Sequence, residues 1–109
     1  MTTPTPPAAQ AAVAPLTPHQ RIVLRDLLHQ LWCDRVLDIT TLAVRFHENE
    51  DSDVAARLAK VRRHLVDVEA ALDRLESGSY GKCDGCDRRI PFEQLEADPQ
   101  ERYCRRCRS

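Results

Sequence analysis

The sequence predicts a mainly α fold: an antiparallel helical hairpin (a coiled coil) joined to a small four-cysteine metal lobe. Three observations predict it. No glycine or proline interrupts residues 19–47, a strict apolar seam follows at 54–75, and two Cys-x-x-Cys pairs come after it, seventeen residues apart. The 109 residues are enough for about one domain. Aromatic content of only 5% and three glycines disfavour a sandwich or barrel, which needs many turns and aromatic-rich strands.

Sixteen basic and seventeen acidic side chains leave a net charge of −1, which argues against a general polyanion-coating role. The apolar runs are too short for a transmembrane helix. The N-terminus shows neither the basic nor the apolar region of a secretory signal. A cytoplasmic protein with no membrane partner is expected. For five cysteines in such a chain, metal or redox chemistry is favoured over disulfides.

Residues 1–16 are rich in proline and alanine, with Pro4, Pro6, Pro7 and Pro15 each removing a backbone donor, and are expected to form a disordered tail. Order begins at Thr17. Thr17-Pro18-His19-Gln20 reads as a capping box, Thr17 the N-cap and Gln20 reaching back. Leu24, Leu28, Leu31, Val36, Ile39, Leu42 and Phe46 then form an apolar stripe to about His47, widened by Ile22, Val23, Leu27, Trp32 and Leu37. Cys33, beside Trp32, reads as a small buried hydrophobe.

The polar stretch 47–53 carries four carboxylates, with Asp51 or Ser52 the N-cap of a second helix and Asp53 in its first turn. Val54, Leu58, Val61, Leu65, Val68, Leu72 and Leu75 step alternately by four and three, a coiled-coil seam over three heptads. Such a helix needs a partner to bury its seam. The nearest is the first helix across the short acidic loop, so residues 17–77 are expected to form a hairpin with its tip at about 48–53. Pairing between separate chains is the alternative. Ser77-Gly78 ends the second helix.

Residues 78–109 read as a zinc-finger lobe. Cys83, Cys86, Cys104 and Cys107 can offer four thiolates to one tetrahedral Zn²⁺, with Gly81 and Gly85 supplying tight backbone. Two disulfides or incidental thiols are the competing reading, and no βαβ pattern supports a thioredoxin-like role. Four cysteines fill every position of the ion, so the expected cofactor is one structural Zn²⁺. His19, His29, His47 and His64 form no metal motif. With no nucleophile–base set and no phosphate-binding glycine loop, an enzyme is not expected.

The run Ala71-Leu72, Arg74-Leu75-Glu76, Gly78, Tyr80-Gly81 and Cys83, followed by Ile90, Leu95, Ala97, Pro99, Cys104 and Cys107, resembles the zinc-finger signature of the TraR/DksA family of bacterial transcription regulators. The resemblance covers about residues 50–107. It implies a hairpin on a zinc lobe that binds RNA polymerase, not DNA, and places its tip in the secondary channel near the catalytic magnesium. The family's tip motif maps onto Glu50, Asp53 and Ala55, with Glu50 where aspartate is usual. Asp87 stands where glycine commonly follows the second cysteine. Asp67, Asp98 and Arg108 fall where some members carry basic residues for guanosine tetraphosphate. Two carboxylates there imply no shared nucleotide site. The chain is expected to act as a monomer without sequence-specific DNA binding. The competing function is a zinc-ribbon adaptor or DNA-binding module with a dimerising coiled coil, suggested by Arg102, Arg105, Arg106 and Arg108.

Overall fold

A computed structural model describes residues 13–108. Two long helices dominate it: α1 (Pro18–Asn49) and α2 (Ser52–Ser77). The short helices α3 (Phe92–Ala97) and α4 (Arg105–Arg108) belong to the lobe at the base. The long helices pack against one another within one chain, so the seam of α2 is filled intramolecularly. The molecule is a rod of 71 × 28 × 19 Å.

α1 begins with the expected capping box. The Gln20 N–H donates to Thr17 Oγ1 at 3.0 Å, and the Thr17 N–H donates to Gln20 Oε1 at 3.0 Å. Most of the anticipated tail, residues 1–12, lies outside the described residues. Leu16 departs from that expectation: it packs against the core, its Cδ1 only 3.3 Å from where a Cβ on Gly81 would stand. Its apolar side chain gains more by burial than the proline-rich context suggests.

The hairpin turn is tighter than the expected polar loop. His47, Glu48 and Asn49 continue α1, because nothing before Glu50 breaks a helix, and only Glu50 and Asp51 lie between the helices. Glu50 closes α1 in the left-handed region (φ 50°, ψ 38°), its N–H donating to the Phe46 carbonyl at 2.6 Å. Asp51 caps α2 by accepting the Asp53 N–H at 2.8 Å. The opposite end of α2 closes on Gly78 (φ 87°), and the Arg74 carbonyl accepts the N–H groups of Gly78, Ser79 and Tyr80 at 3.0–3.1 Å.

Two apolar clusters hold the rod together. At the base, Leu24 and Leu28 of α1 and Val68 and Ala71 of α2 share one core with Tyr80, Ile90 and Leu95 of the lobe. Towards the tip, Leu42, Val54 and Leu58 form a smaller cluster with Ile39 and Phe46 around it. Between them α2 keeps the half-buried Leu65 on its seam, while α1 presents a polar side chain there. The five-residue step from Leu31 to Val36 breaks the period, so Arg35 turns inward instead. Its Nε lies 3.0 Å from Asp38 Oδ2 and its Nη1 3.5 Å from His64 Nδ1.

The widened stripe is only partly used. Leu37 is 65% exposed, and Ile22 and Trp32 are also exposed, the Trp32 Nε1–H donating to Glu69 Oε2 at 3.1 Å. Cys33 is exposed, contrary to its expected burial, because it lies on the outward side of α1. Among the described residues no helix is long and apolar enough to cross a membrane.

Candidate metal centre and hairpin tip

The metal centre is built from two knuckles on one small scaffold. Gly81, at φ 90°, turns the chain out of α2 into an antiparallel bridge between Lys82 and Arg89. The Ile90 N–H donates to the Gly81 carbonyl at 2.7 Å and the Cys83 N–H to the Arg88 carbonyl at 2.7 Å, closing the first knuckle. The Asp84 N–H donates to the Arg102 carbonyl at 2.8 Å, which ties the second knuckle to the first. Tyr80, buried beneath, donates its hydroxyl to the Pro99 carbonyl at 2.8 Å. Burial keeps that phenol protonated well above the usual tyrosine range. Gln94, also buried, donates its side-chain N–H to the Tyr103 carbonyl at 2.9 Å.

These links bring the four Sγ atoms of Cys83, Cys86, Cys104 and Cys107 within 4.8 Å of one another. A tetrahedral tetrathiolate ion with bonds of about 2.3 Å would place its sulfurs roughly 3.8 Å apart. Cys86 and Cys104 already stand at 3.7 Å. All four thiols are free, so the disulfide reading is not realised. The cluster therefore has the donor set and the spacing to hold a metal ion. Cys83 and Cys104 are buried, while Cys86 and Cys107 face outward.

Backbone dipoles favour thiolate at the two buried sulfurs. Burial by itself would push the Cys83 thiol up, but N–H groups of Cys104, Gly85 and Cys86 outweigh it and hold the thiol down at about 6. One of them, Gly85 N–H, donates to Cys83 Sγ at 3.3 Å. The backbone N–H of Cys107 likewise lowers Cys104 against the effect of burial. Cys107, whose thiol shares hydrogen bonds with the sulfurs of Cys83 and Cys86, is pushed up to about 12. Gly85 is required for a steric reason as well: a Cβ there would stand 3.0 Å from Cys107 Sγ.

Asp87 is at φ 65°, a left-handed conformation that an L side chain adopts at a cost. The conformation explains why glycine is the usual residue at this place in the resembling family. Asp87→Gly is accordingly expected to stabilise the folded protein by about 0.5–1 kcal/mol, measured as a shift of the denaturation midpoint at unchanged m-value. A destabilised variant would mean that the aspartate carboxylate contributes more than the backbone strain removes.

At the other end of the rod, Glu50 and Asp53 are exposed and Ala55 is partly buried at the start of α2. Glu48, Glu50, Asp51 and Asp53 crowd into the turn, and none of them forms an ion pair among the described residues. The fold thus sets at opposite ends two features that come within thirty positions of each other in the sequence, at Asp53 and Cys83. The thiol cluster is at the base, and an unneutralised acidic cluster is at the tip. The inward Arg35–His64 layer and the capping roles of Tyr80 and Gln94 escaped the sequence reading. A break in the three-and-four spacing after Leu31 is the signal that could have located the first.

No family model matches the chain. Over 57 residues it is 44% identical to the uncharacterized protein YteA of Bacillus subtilis, covering 52% of this chain and 23% of that protein. Over 43 residues it is 42% identical to an uncharacterized protein of Aquifex aeolicus, covering 39% of this chain and 30% of that one. The matched segments thus span less than a third of either relative's length. The solved structure of transcription factor DksA2 from Pseudomonas aeruginosa superposes with a TM-score of 0.75 at 24% identity, covering 92% of this chain and 88% of that one. The two proteins share a fold, and the expected TraR/DksA-like architecture holds at that level.

Proposed function

We propose that this protein is a bacterial transcription regulator that binds RNA polymerase as a monomer in the cytoplasm and acts without chemistry of its own. In this reading the hairpin enters the secondary channel and presents Glu50 and Asp53, with Ala55 at the foot of the tip, near the active centre. Carboxylates there can perturb the catalytic metal or substrate phosphates electrostatically. The observation that carries the reading is the unpaired acidic turn at the far end of a rod whose fold is that of DksA2. The turn is held rather than loose, because Glu50 caps α1 and Asp51 caps α2.

Cys83, Cys86, Cys104 and Cys107 would hold one Zn²⁺. The ion would cross-link the two knuckles, and four thiolates would leave no position on it for water. Guanosine tetraphosphate is not a shared ligand in this proposal. Arg108, the one basic residue at the three relevant positions, already pairs with Glu101 at 2.9 Å and Asp98 at 3.6 Å. The competing adaptor reading called for a coiled coil between chains, and the α2 seam is occupied by α1 of the same chain.

Co-purification with the host polymerase and in vitro transcription test the proposal together. Asp53→Asn keeps the volume and removes the charge. It is expected to retain polymerase binding within about threefold while abolishing the effect on transcription at saturating protein, as befits an exposed residue that acts by its charge. Asp51 supplies the cap, so the helix start survives the substitution. An Asp53→Asn protein that regulates like the wild type would refute the tip mechanism, and failure of the wild type to bind polymerase would refute the partner.

A further inference from the structure

Beside the thiol cluster lies an open cleft of about 510 Å³ that the proposed function does not use. Arg88 and Arg89 from the first knuckle and Arg105 and Arg106 from α4 line it, with Pro91 and Gln94 between them. All four arginines are exposed. Among the described residues none of the four guanidinium groups is paired with a carboxylate, whereas Arg102 and Arg108 of the same lobe are. Glu93 is the one acid in the lining. A tetrathiolate site holding a divalent ion would carry a formal charge of −2, so charge balance accounts for at most half of the four positive charges.

We infer that this cleft is a docking site for an acidic peptide segment of a partner protein, one that carries aspartate or glutamate beside an apolar residue. Arginine forks match carboxylates bidentately, and convergent unpaired guanidinium groups gain most from a ligand that brings its own negative charge. The lining also offers apolar surface at Pro91 and Val13, which a peptide side chain can cover and a phosphate backbone cannot. Asp87 and Glu96 elsewhere in the lobe, neither ion-paired among the described residues, would repel a long polyanion that ran beyond the cleft, but not a short segment seated within it. The chain's own first twelve residues contain no acid and do not complement the arginines. The inference does not depend on polymerase being the partner.

The test is fluorescence anisotropy on the full, metal-loaded chain with a short fluorescein-labelled peptide of Asp, Glu, Leu and Phe. A lysine-for-acid version of the peptide and a labelled DNA duplex are the comparison probes. Binding of the acidic peptide is expected, weakening as salt rises. It should fall at least about tenfold when Arg88, Arg89, Arg105 and Arg106 are all changed to Ala, with Arg25→Ala unchanged. The two pairwise variants, Arg88→Ala with Arg89→Ala and Arg105→Ala with Arg106→Ala, should each lose part of it. They serve in place of the fourfold variant if that one fails to retain metal. Equal binding of the lysine peptide, unaltered binding by the variants, or no binding at all would overturn the inference. So would tighter binding of the duplex, which would make the cleft a nucleic-acid site. Salt-sensitive self-association that the same variants abolish would make the occupant the acidic tip of a second copy.

Discussion

Loading this protein with Zn²⁺ and then stripping the ion, by chelation after mild acidification, is expected to unfold the base lobe while leaving most of the helical signal. The reason is how the residues are apportioned. α1 and α2 contribute 32 and 26 helical residues, against 6 and 4 in α3 and α4. The lobe itself buries few large side chains, chiefly Tyr80, Ile90 and Leu95. A structural zinc contributes on the order of 10–16 kcal/mol in isolated finger peptides, more than the roughly 5–9 kcal/mol that three such side chains provide. Bound metal should fall away as the pH drops, because each of the four thiols must be deprotonated to ligate. Loss of the lobe would uncover Leu24, Leu28, Val68 and Ala71, so the apo protein should bind an apolar dye and melt with low cooperativity. Cys104→Ser, which places a hydroxyl at a buried position, should lose the metal more completely than Cys86→Ser at an exposed one. Metal content by elemental analysis, with circular dichroism and dispersion of the Ile90 and Leu95 methyl resonances, reads all of this. An apo protein with unchanged methyl dispersion would mean that packing alone organises the lobe.

What the sequence made legible follows from how local each signal is. The capping box at Thr17, the stop at Gly78 and the four-three spacing of α2 depend on residues within one or two turns, and each stands where the pattern put it. The cysteine pairs were equally legible, since two Cys-x-x-Cys pairs at this separation, with no βαβ pattern around either, match a metal site. The rest depended on long-range partners. Arg35 enters the seam because α2 offers His64 opposite, and no window of α1 contains that fact. Leu16 is drawn in by Gly81, sixty-five positions away. Cys33 was misplaced because an α-helix with apolar residues on more than one side does not reveal which side its partners will cover. Glu50 and Asp87, the two non-glycine residues with positive φ among the described residues, were visible only as departures from a family pattern. The backbone supplies the physical content of both departures.

Leu28→Ala and Leu42→Ala delete the same atoms from opposite ends of the rod and should have different consequences. Leu28 is fully buried in the core that both long helices share with the lobe, and its truncation leaves a cavity walled on several sides. A cost of about 3–5 kcal/mol is expected, a fall in melting temperature of roughly 12 °C or more. Leu42 belongs to a cluster with only two other buried members, near the end of the hairpin, where the neighbouring side chains can close over the gap. Its truncation should cost less, about 2–3 kcal/mol, and should be felt locally. Between the two cores Leu65 of α2 is only half-buried and α1 places Arg35, with Asp38 and His64 beside it, on the seam, so less packing energy couples the cores than a fully apolar layer would supply. Hydrogen exchange in the native state should therefore show Leu42→Ala loosening amides of the tip half while those around Leu24 and Val68 keep their protection. Leu28→Ala should lower protection throughout, since the tip core has nothing to rest on once the base opens. If Leu42→Ala lowered protection equally at both ends, the rod would be a single cooperative unit and the polar layer would be no boundary. A tip that opens independently could adjust to a surrounding channel without unfolding the base, and the position of the charged layer in the middle of the seam is what would permit it.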